Sequence, residues 1–219
     1  MVSVVLLMAG RGTRMGYERN KILLPFGDKY LFEFPLNTFL SLGYEVICVI
    51  SKEDSDIIIP RLPAKNVKYV YGGATRQESV YLGLKKATGD YVLIHDAARM
   101  WVSEDLIHKI IEQGKEMTPV LTYTEVKDTI KVVENGKLKT LDRKSLIAAA
   151  TPQAASLTLL KEVYEAAVKD NFTSTDDMSL IEKYHPEIEI NLVKADEEIF
   201  KVTTPKDYEI AKEIWRKKL

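Results

Sequence analysis

The sequence has a single cysteine, no long apolar run and almost no net charge. Cys48 is the only cysteine in 219 residues, so no intrachain disulfide can form, and no spacing of histidine and cysteine indicates a zinc site. No apolar run approaches the ~18 residues of a membrane-spanning helix. The 31 basic and 32 acidic residues give a net charge of −1, which excludes the broad basic field of a nucleic-acid-binding protein. We therefore expect neither a membrane nor a nucleic acid as a partner.

The beginning of the chain also lacks the pattern of a secretory signal peptide, because it continues directly into an apolar segment. This predicts a cytoplasmic protein. The hydrophobic content of 46% is ample for a core, and the length predicts one domain over residues 1–219. Cys48 lies in an apolar segment, which predicts an inert thiol in a buried strand.

Short apolar segments alternate with helical patterns through the first half of the chain. Strands are predicted at 2–8, 45–51, 67–71 and 91–94, and helices at 30–42, 52–59, 76–87 and 103–113. This alternation is typical of an α/β protein with an open, mostly parallel twisted sheet and right-handed crossovers. Such sheets bind ligands at the carboxyl ends of their strands, so we expect the functional site there.

The pattern changes after Pro119. Predicted strands at 120–123, 129–133 and 138–141 include Asn135-Gly136, a pair typical of a tight hairpin turn. We expect a β-arm at about 124–150 that protrudes from the sheet and whose edges need a partner. The remaining predicted elements are helices at 156–169 and 175–184, a strand at 189–193, and a final helix from 205 to about 216.

The segment after the first predicted strand is rich in glycine and arginine. Gly10, Gly12 and Gly16 permit positive φ and close approach of the backbone, so amide groups can converge on an anion. The Walker pattern fails here, and the dinucleotide fingerprint would need its third glycine one residue before Gly16. The segment therefore predicts a polyphosphate site of another kind. Four cations lie within it or just after it: Arg11, Arg14, Arg19 and Lys21.

Seven stretches, taken in order, resemble the 2-C-methyl-D-erythritol 4-phosphate cytidylyltransferase family over nearly the whole chain. The first is the loop G-x-G-T-R-M with its downstream lysine, a signature of nucleotidyltransferases that activate sugar and polyol phosphates. The others are G-G-A-T-R-Q-E-S-V at 72–80, H-D-A-A-R at 95–99, D-T-I-K at 128–131, T-P-Q at 151–153, T-D-D at 175–177 and F-K-V-T at 200–203. The resemblance implies a Rossmann-like nucleotidyltransferase fold and a homodimer formed through the β-arm. It also implies CTP and a polyol phosphate as substrates and Mg²⁺ as cofactor.

The implied reaction is attack by a phosphate oxygen of the acceptor on the α-phosphorus of CTP, with pyrophosphate leaving. Both reactants are polyanions and charge builds on the α-phosphate oxygens, so catalysis needs positioning and fixed positive charge rather than a protein nucleophile. The resemblance assigns the catalytic cations to Arg14, Lys21 and Lys201. It assigns Asp96 to Mg²⁺ and to orienting the reactants, a role that suits a carboxylate.

The resemblance also assigns the binding residues. The nucleotide would be bound by Ala9, Gly10, Arg11, Gly12, Thr13, Gly73, Ala74, Ser79 and Ala97. The acceptor would be bound by Asp96, Arg99, Thr129, Arg143 and Thr151, of which Thr129 and Arg143 would come from the arm of a second subunit. His95 is expected to be structural, because this mechanism needs no acid or base.

Some positions depart from the family pattern. Asn20 stands where proline usually precedes the loop lysine, and Ile22-Leu23 replace glutamine and an aromatic residue. Met100 replaces the proline after D-A-A-R, and Met8 replaces an alanine before the loop. These departures bear on the geometry of the loop and on the choice of acceptor, whereas the cationic residues are all present.

Other activities remain alternatives. A D-ribitol-5-phosphate cytidylyltransferase shares these motifs and differs mainly in its acceptor. A nucleotidyltransferase that uses UTP or GTP is disfavoured by the G-G-x-x-R segment and the arm. A nicotinamide oxidoreductase is disfavoured by the late glycine and by Ser51-Lys52, where an acidic residue would end the second strand. A non-catalytic nucleotide-binding protein would not need Lys21, Lys201 and Asp96 together.

Overall fold

The computed structural model describes residues 1–10 and 20–219. Its strands are β1 (Val2–Leu7), β2 (Pro25–Phe26), β3 (Lys29–Tyr30), β4 (Glu45–Ile50), β5 (Val67–Tyr71), β6 (Tyr91–Asp96), β7 (Val120–Glu125), β8 (Lys131–Glu134), β9 (Lys137–Thr140), β10 (Ile147–Ser156) and β11 (Asn191–Lys194). Its α-helices are α1 (Glu33–Ser41), α2 (Ser55–Ile58), α3 (Arg76–Lys86), α4 (Glu104–Gln113), α5 (Leu157–Lys169), α6 (Met178–Tyr184) and α7 (Pro205–Lys217).

A seven-stranded sheet organises the described residues, in the order β11-β7-β10-β6-β1-β4-β5. Strands β6, β1, β4 and β5 pair in parallel, as does β11 with β7, whereas β10 is antiparallel to both of its neighbours. The predicted α/β fold with a mostly parallel sheet is therefore confirmed. No helix in the described part of the chain has the length and apolarity that crossing a bilayer requires.

Both faces of the sheet are covered, which explains why its parallel strands are apolar throughout. Successive residues of β1 point to opposite faces, so Val4 packs in the core beneath α1 and α4 while Val5 packs in the core beneath α3 and α5. Cys48 in β4 is fully buried, and burial raises the pKa of its thiol to about 12. The prediction of an inert core thiol agrees with this placement.

The predictions missed β10, a ten-residue strand in the middle of the sheet. The T-P-Q motif at 151–153 lies within this strand and is buried. Its alanine-rich sequence has low strand propensity, and proline is rarely tolerated in a central strand. Pro152 is accommodated because the pairing with β7 shifts register between Ala149 and Gln153, so no ladder bond needs its missing N–H.

Several element boundaries differ from the predictions. α1 begins at Glu33 rather than at 30, because Lys29–Tyr30 pairs with Pro25–Phe26 across a turn at Gly27. β6 continues to Asp96, two residues beyond the predicted end. The start of α6 is Met178, with the side chain of Asp176 accepting from the amide of Ser179.

The predicted hairpin forms a separate two-stranded sheet of β8 and β9. Asn135 and Gly136 have φ of 49° and 76°, which is the pair of positive angles that a tight hairpin turn requires. Val133 and Leu138 face each other across the strands, and they are 69% and 68% exposed. The hairpin is thus confirmed, and it carries an apolar pair that the described chain leaves uncovered.

Candidate active site

A cleft of about 580 Å³ lies where the parallel strands of the sheet end. It brings together the end of β1, the segment after β5 and the end of β6, as the order of the motifs predicted. The cleft is lined by Leu7, Met8, Ala9, Gly10, Asn20, Lys21, Ile22, Gly73, Ala74, Thr75, Arg76, Ser79, Asp96, Ala98, Lys201 and Thr203. The predicted site residues Arg11, Gly12, Thr13 and Arg14 lie outside the described residues.

Asp96 is the carboxylate of the cleft. One oxygen, Oδ2, lies 2.7 Å from Nζ of Lys201, and the other, Oδ1, lies 3.4 Å from Nε of Arg76. Burial alone would raise the pKa of the Asp96 carboxyl, but the charges of Arg76 and Lys201 outweigh it and hold that pKa far below its usual range. Asp96 is therefore ionised at neutral pH.

The two predicted catalytic lysines that the structure describes both reach this cleft. Lys21 begins a single 3₁₀ turn, Lys21–Leu23, at the end of the glycine-rich segment. Lys201 comes from the irregular segment before α7, which is held in place because the amide of Val202 donates to the carbonyl oxygen of Ala98 at 2.9 Å. Two cations from distant parts of the chain thus line one cleft, which suits a polyanionic ligand.

The segment after β5 forms a tight turn that packs against the end of β1. The amide of Gly73 donates to Oγ of Ser79 at 3.1 Å, and that hydroxyl donates to the carbonyl oxygen of Thr75 at 2.9 Å. A Cβ on Gly72 would lie 2.5 Å from Cβ of Ala9, so only glycine allows this turn to pack against the end of β1. Ser79 therefore fixes the turn that presents Gly73 and Ala74 to the cleft.

Arg76 is a cleft residue for which the sequence analysis proposed no role. Its Nη1 and Nη2 each lie 2.8 Å from an oxygen of Asp177, whose side chain is fully buried. Asp177 also accepts a short hydrogen bond from the hydroxyl of Tyr164, and Oε1 of Gln153 accepts from the amide of Asp177 at 3.0 Å. Arg76, Gln153 and Asp177 each lie in one of the stretches that resemble the family. That resemblance is the sequence signal that could have identified them as site residues.

Other predicted site residues lie outside the cleft lining. Ala97 is fully buried, and its amide donates to the carbonyl oxygen of Leu7. Nη1 of Arg99 donates to the carbonyl oxygen of Ile199 at 3.0 Å, and Arg99 lines a second groove beside the arm. Thr129 and Arg143 lie on the arm, where Nη1 of Arg143 donates to the carbonyl oxygen of Lys127 at 2.7 Å. Their binding roles stay predictions.

Thr151 and His95 form a buried support beneath Asp96. Oγ1 of Thr151 accepts from the amide of Asp96 at 3.1 Å and lies 3.1 Å from Nδ1 of His95. Nε2 of His95 lies 3.0 Å from the carbonyl oxygen of Arg99, and burial lowers the pKa of His95 to about 4. A neutral, fully buried imidazole agrees with the structural role expected of His95, and the hydroxyl of Thr151 contacts the backbone amide of Asp96.

A mostly parallel sheet with a glycine-rich loop, two lysines and one carboxylate at its strand ends defines a nucleotidyltransferase. A family model described as IspD, 2-C-methyl-D-erythritol 4-phosphate cytidylyltransferase, matches residues 2–217. The chain belongs to this family of CTP-dependent cytidylyltransferases, which confirms the resemblance of its motifs.

Individual relatives agree with the family model. The 2-C-methyl-D-erythritol 4-phosphate cytidylyltransferase of Clostridioides difficile is 38% identical over 224 residues, which cover 98% of this chain and 93% of the relative. The enzyme of the same name from Nostoc sp. is 38% identical over 213 residues, which cover 93% of this chain and 92% of the relative.

Solved structures extend the agreement to the fold. The crystal structure of 4-diphosphocytidyl-2C-methyl-D-erythritol synthase from Anaerococcus prevotii has a TM-score of 0.88 and 29% identity, covering 99% of this chain and 98% of that one. The 2-C-methyl-D-erythritol 4-phosphate cytidylyltransferase from Thermus thermophilus has a TM-score of 0.79 and 27% identity, covering 97% and 98%.

Proposed function

We propose that this chain transfers the cytidylyl group of CTP to 2-C-methyl-D-erythritol 4-phosphate and releases pyrophosphate, as a step in the synthesis of isoprenoid precursors. The observation that carries the proposal is the family match over residues 2–217, together with a cleft that is lined by two lysines, an arginine and one carboxylate. The names of the relatives and solved structures support methylerythritol phosphate over D-ribitol 5-phosphate as the acceptor.

The residues of the cleft act by placing charge. A phosphate oxygen of the acceptor attacks the α-phosphorus of CTP, and the bond from that phosphorus to the bridging oxygen of the β-phosphate breaks. Lys21 and Lys201 stabilise the charge that builds on the non-bridging oxygens of the α-phosphate. Asp96 keeps Lys201 in position through their 2.7 Å ion pair, and the turn at Gly73 and Ala74 receives the cytosine.

Mg²⁺ is the cofactor that we propose. No group of three acidic or histidine side chains in the described ranges, 1–10 and 20–219, could hold a metal ion by itself. The cleft instead offers one ionised carboxylate, Asp96, and this fits Mg²⁺, which keeps several waters and binds through one or two carboxylates plus substrate phosphates. Bound to the triphosphate, the ion would neutralise charge and orient the leaving pyrophosphate.

A homodimer formed through the arm is the assembly that we propose. The exposed pair Val133 and Leu138 supplies apolar surface on the hairpin, and a two-stranded hairpin is only marginally stable by itself. Thr129 and Arg143 lie at the base of this hairpin and not in the cleft of their own chain. A partner's arm would bring them to the acceptor, whose phosphate suits the guanidinium fork of Arg143.

The activity is tested by pyrophosphate release with CTP and Mg²⁺, comparing 2-C-methyl-D-erythritol 4-phosphate with D-ribitol 5-phosphate. We expect release with the first acceptor only. Release with D-ribitol 5-phosphate alone would replace the acceptor and keep the nucleotide site. Release with neither acceptor would overturn the proposed function.

The dimer is tested by mixing Lys21→Ala with Arg143→Ala at an acceptor concentration far below the raised KM of Arg143→Ala, where each variant alone is expected to be almost inactive. If the arm serves the partner's cleft, a mixed dimer has one cleft with both native residues. Half of the dimers are mixed, so about a quarter of the wild-type activity is expected to return. A mixture as inactive as its components would show that Arg143 does not act across an interface.

A further inference from the structure

The two ends of the glycine-rich segment meet at one side chain. Asn20 is only 6% exposed, and its Nδ2 donates to the carbonyl oxygen of Met8 at 2.7 Å. Met8 is the residue at which the chain enters the segment, and Asn20 is the residue at which it leaves. The amide of Met8 donates to the carbonyl oxygen of Val49 in β4 at 2.8 Å, so the entry point is itself fixed to the sheet.

The same amide group of Asn20 is anchored on a buried carboxylate. Nδ2 lies 3.1 Å from Oδ2 of Asp54, which is 9% exposed. Asp54 is held in turn by Ser51, which follows β4: the hydroxyl of Ser51 donates to Oδ2, and the amide of Asp54 donates to that hydroxyl at 3.2 Å. The second acceptor on the same amide nitrogen fixes the orientation of the Asn20 side chain, and Asp54 is itself fixed by Ser51.

The side-chain oxygen of Asn20 stabilises the 3₁₀ turn that contains Lys21. Oδ1 accepts from the amide of Ile22 at 3.3 Å, which caps the 3₁₀ turn that Lys21 begins. The backbone of Asn20 has φ −60°, the angle that a proline ring imposes, and ψ 131°, which is compatible with proline. Hydrogen bonds of this side chain thus hold a conformation that the family pattern assigns to proline.

We propose that Asn20 and Asp54 are positioning residues that close the glycine-rich loop at its base and thereby set Lys21 against the nucleotide. The proposal rests on the proposed function for the identity of that nucleotide. It predicts a defect specific to the triphosphate, because Asn20, Asp54 and Lys21 are not among the residues that the family resemblance assigns to the acceptor. Neither Asn20 nor Asp54 touches the reacting atoms.

The kinetic test compares Asn20→Ala with Asn191→Ala. Asn191 is a matched control, because its Nδ2 donates to the carbonyl oxygen of Gln113 at 2.8 Å on the edge strand β11. Loss of a buried hydrogen bond predicts that Asn20→Ala lowers kcat/KM for CTP about tenfold to a hundredfold. The KM of the acceptor is expected to change by less than about twofold, and Asn191→Ala to stay within about twofold throughout.

Two further variants separate positioning from general loss of structure. Asn20→Pro is expected to recover kcat/KM for CTP to within about threefold of wild type, because the ring fixes φ at about −65°. Asp54→Asn combined with Asn20→Ala is expected to be no worse than Asn20→Ala alone, because residues that act as one unit are non-additive. Equal loss for CTP and acceptor, no recovery by proline, or additive losses would overturn the proposal.

A readout without turnover keeps this test independent of the proposed function. Arg11, Arg14 and Arg19 are trypsin sites between the two ends that Asn20 joins. We expect Asn20→Ala to raise the rate of cleavage at these sites at least about fivefold at temperatures well below the Tm of the variant, because local opening then governs such cleavage. An unchanged cleavage rate would overturn the proposal even if the enzyme is active, and a raised rate would uphold it even if the acceptor proves to be another.

Discussion

Replacing Arg76 by methionine tests the ion pair that links the cleft to the buried end of α6. The guanidinium makes two 2.8 Å bonds to the carboxylate of Asp177, which has no exposure to solvent. Removing the cation leaves a buried charge without compensation, which costs about 3–5 kcal/mol of unfolding free energy. In a chain of 219 residues this corresponds to a fall in Tm of roughly 6–20 °C.

Chemical denaturation at neutral pH measures the loss of unfolding free energy in Arg76→Met, and two further variants serve as controls. Lys194→Met removes an exposed pair with Glu125 and is expected to leave the free energy of unfolding close to that of the wild type. Adding Asp177→Asn to Arg76→Met removes the uncompensated carboxylate and keeps an oxygen that can accept from the hydroxyl of Tyr164. The loss of unfolding free energy should therefore shrink to about 1–3 kcal/mol. The reasoning would be refuted if Arg76→Met were as stable as Lys194→Met. It would also be refuted if the double variant, Arg76→Met with Asp177→Asn, were no more stable than Arg76→Met alone.

Three other predictions concern the site and its surroundings. Lys21→Ala is expected to abolish pyrophosphate release while circular dichroism and Tm stay those of the native fold; near-normal turnover would remove Lys21 from catalysis. Arg143→Ala should raise the KM of the acceptor more than that of CTP in steady-state assays, and the reverse pattern would remove it from the acceptor site. Burial would raise the pKa of Glu45, but hydrogen bonds from Lys68, Ser3 and Thr88 lower that pKa to about 2. The ionised Glu45 therefore stabilises the fold above pH 4.5, and this stabilisation is lost as the pH falls towards 2. Glu45→Gln should flatten this part of the stability profile, and an unchanged slope would contradict it.

The local signals in the sequence predicted the elements that local interactions determine. The predicted starts of α4, α5 and α7 are confirmed, and Ser103, Ser156 and Thr204 cap them, because a cap needs only a hydroxyl and an amide two or three residues away. The asparagine-glycine pair predicted its turn for the same reason. The strand ends predicted the cleft, because parallel strands bring their carboxyl ends to one edge.

What the sequence did not predict depends on contacts between distant residues. Arg76 and Asp177 are 101 positions apart, and no periodicity connects them. β10 escaped prediction because it is stabilised by pairing on both edges rather than by the propensity of its alanines. The side chain of Arg99 follows a strand end, as expected of a cleft residue, but the fold turns it towards the carbonyl oxygen of Ile199.

The buried thiol of β4 makes this chain a convenient host for site-directed labels. Cys48 is the only cysteine, is fully buried, and has a thiol whose pKa of about 12 leaves almost no thiolate at neutral pH. Any cysteine introduced at the surface is then the only one that a water-soluble maleimide can modify. Leu138→Cys would place a single fluorophore or spin label on the hairpin, where a distance between two labels would report on the proposed dimer.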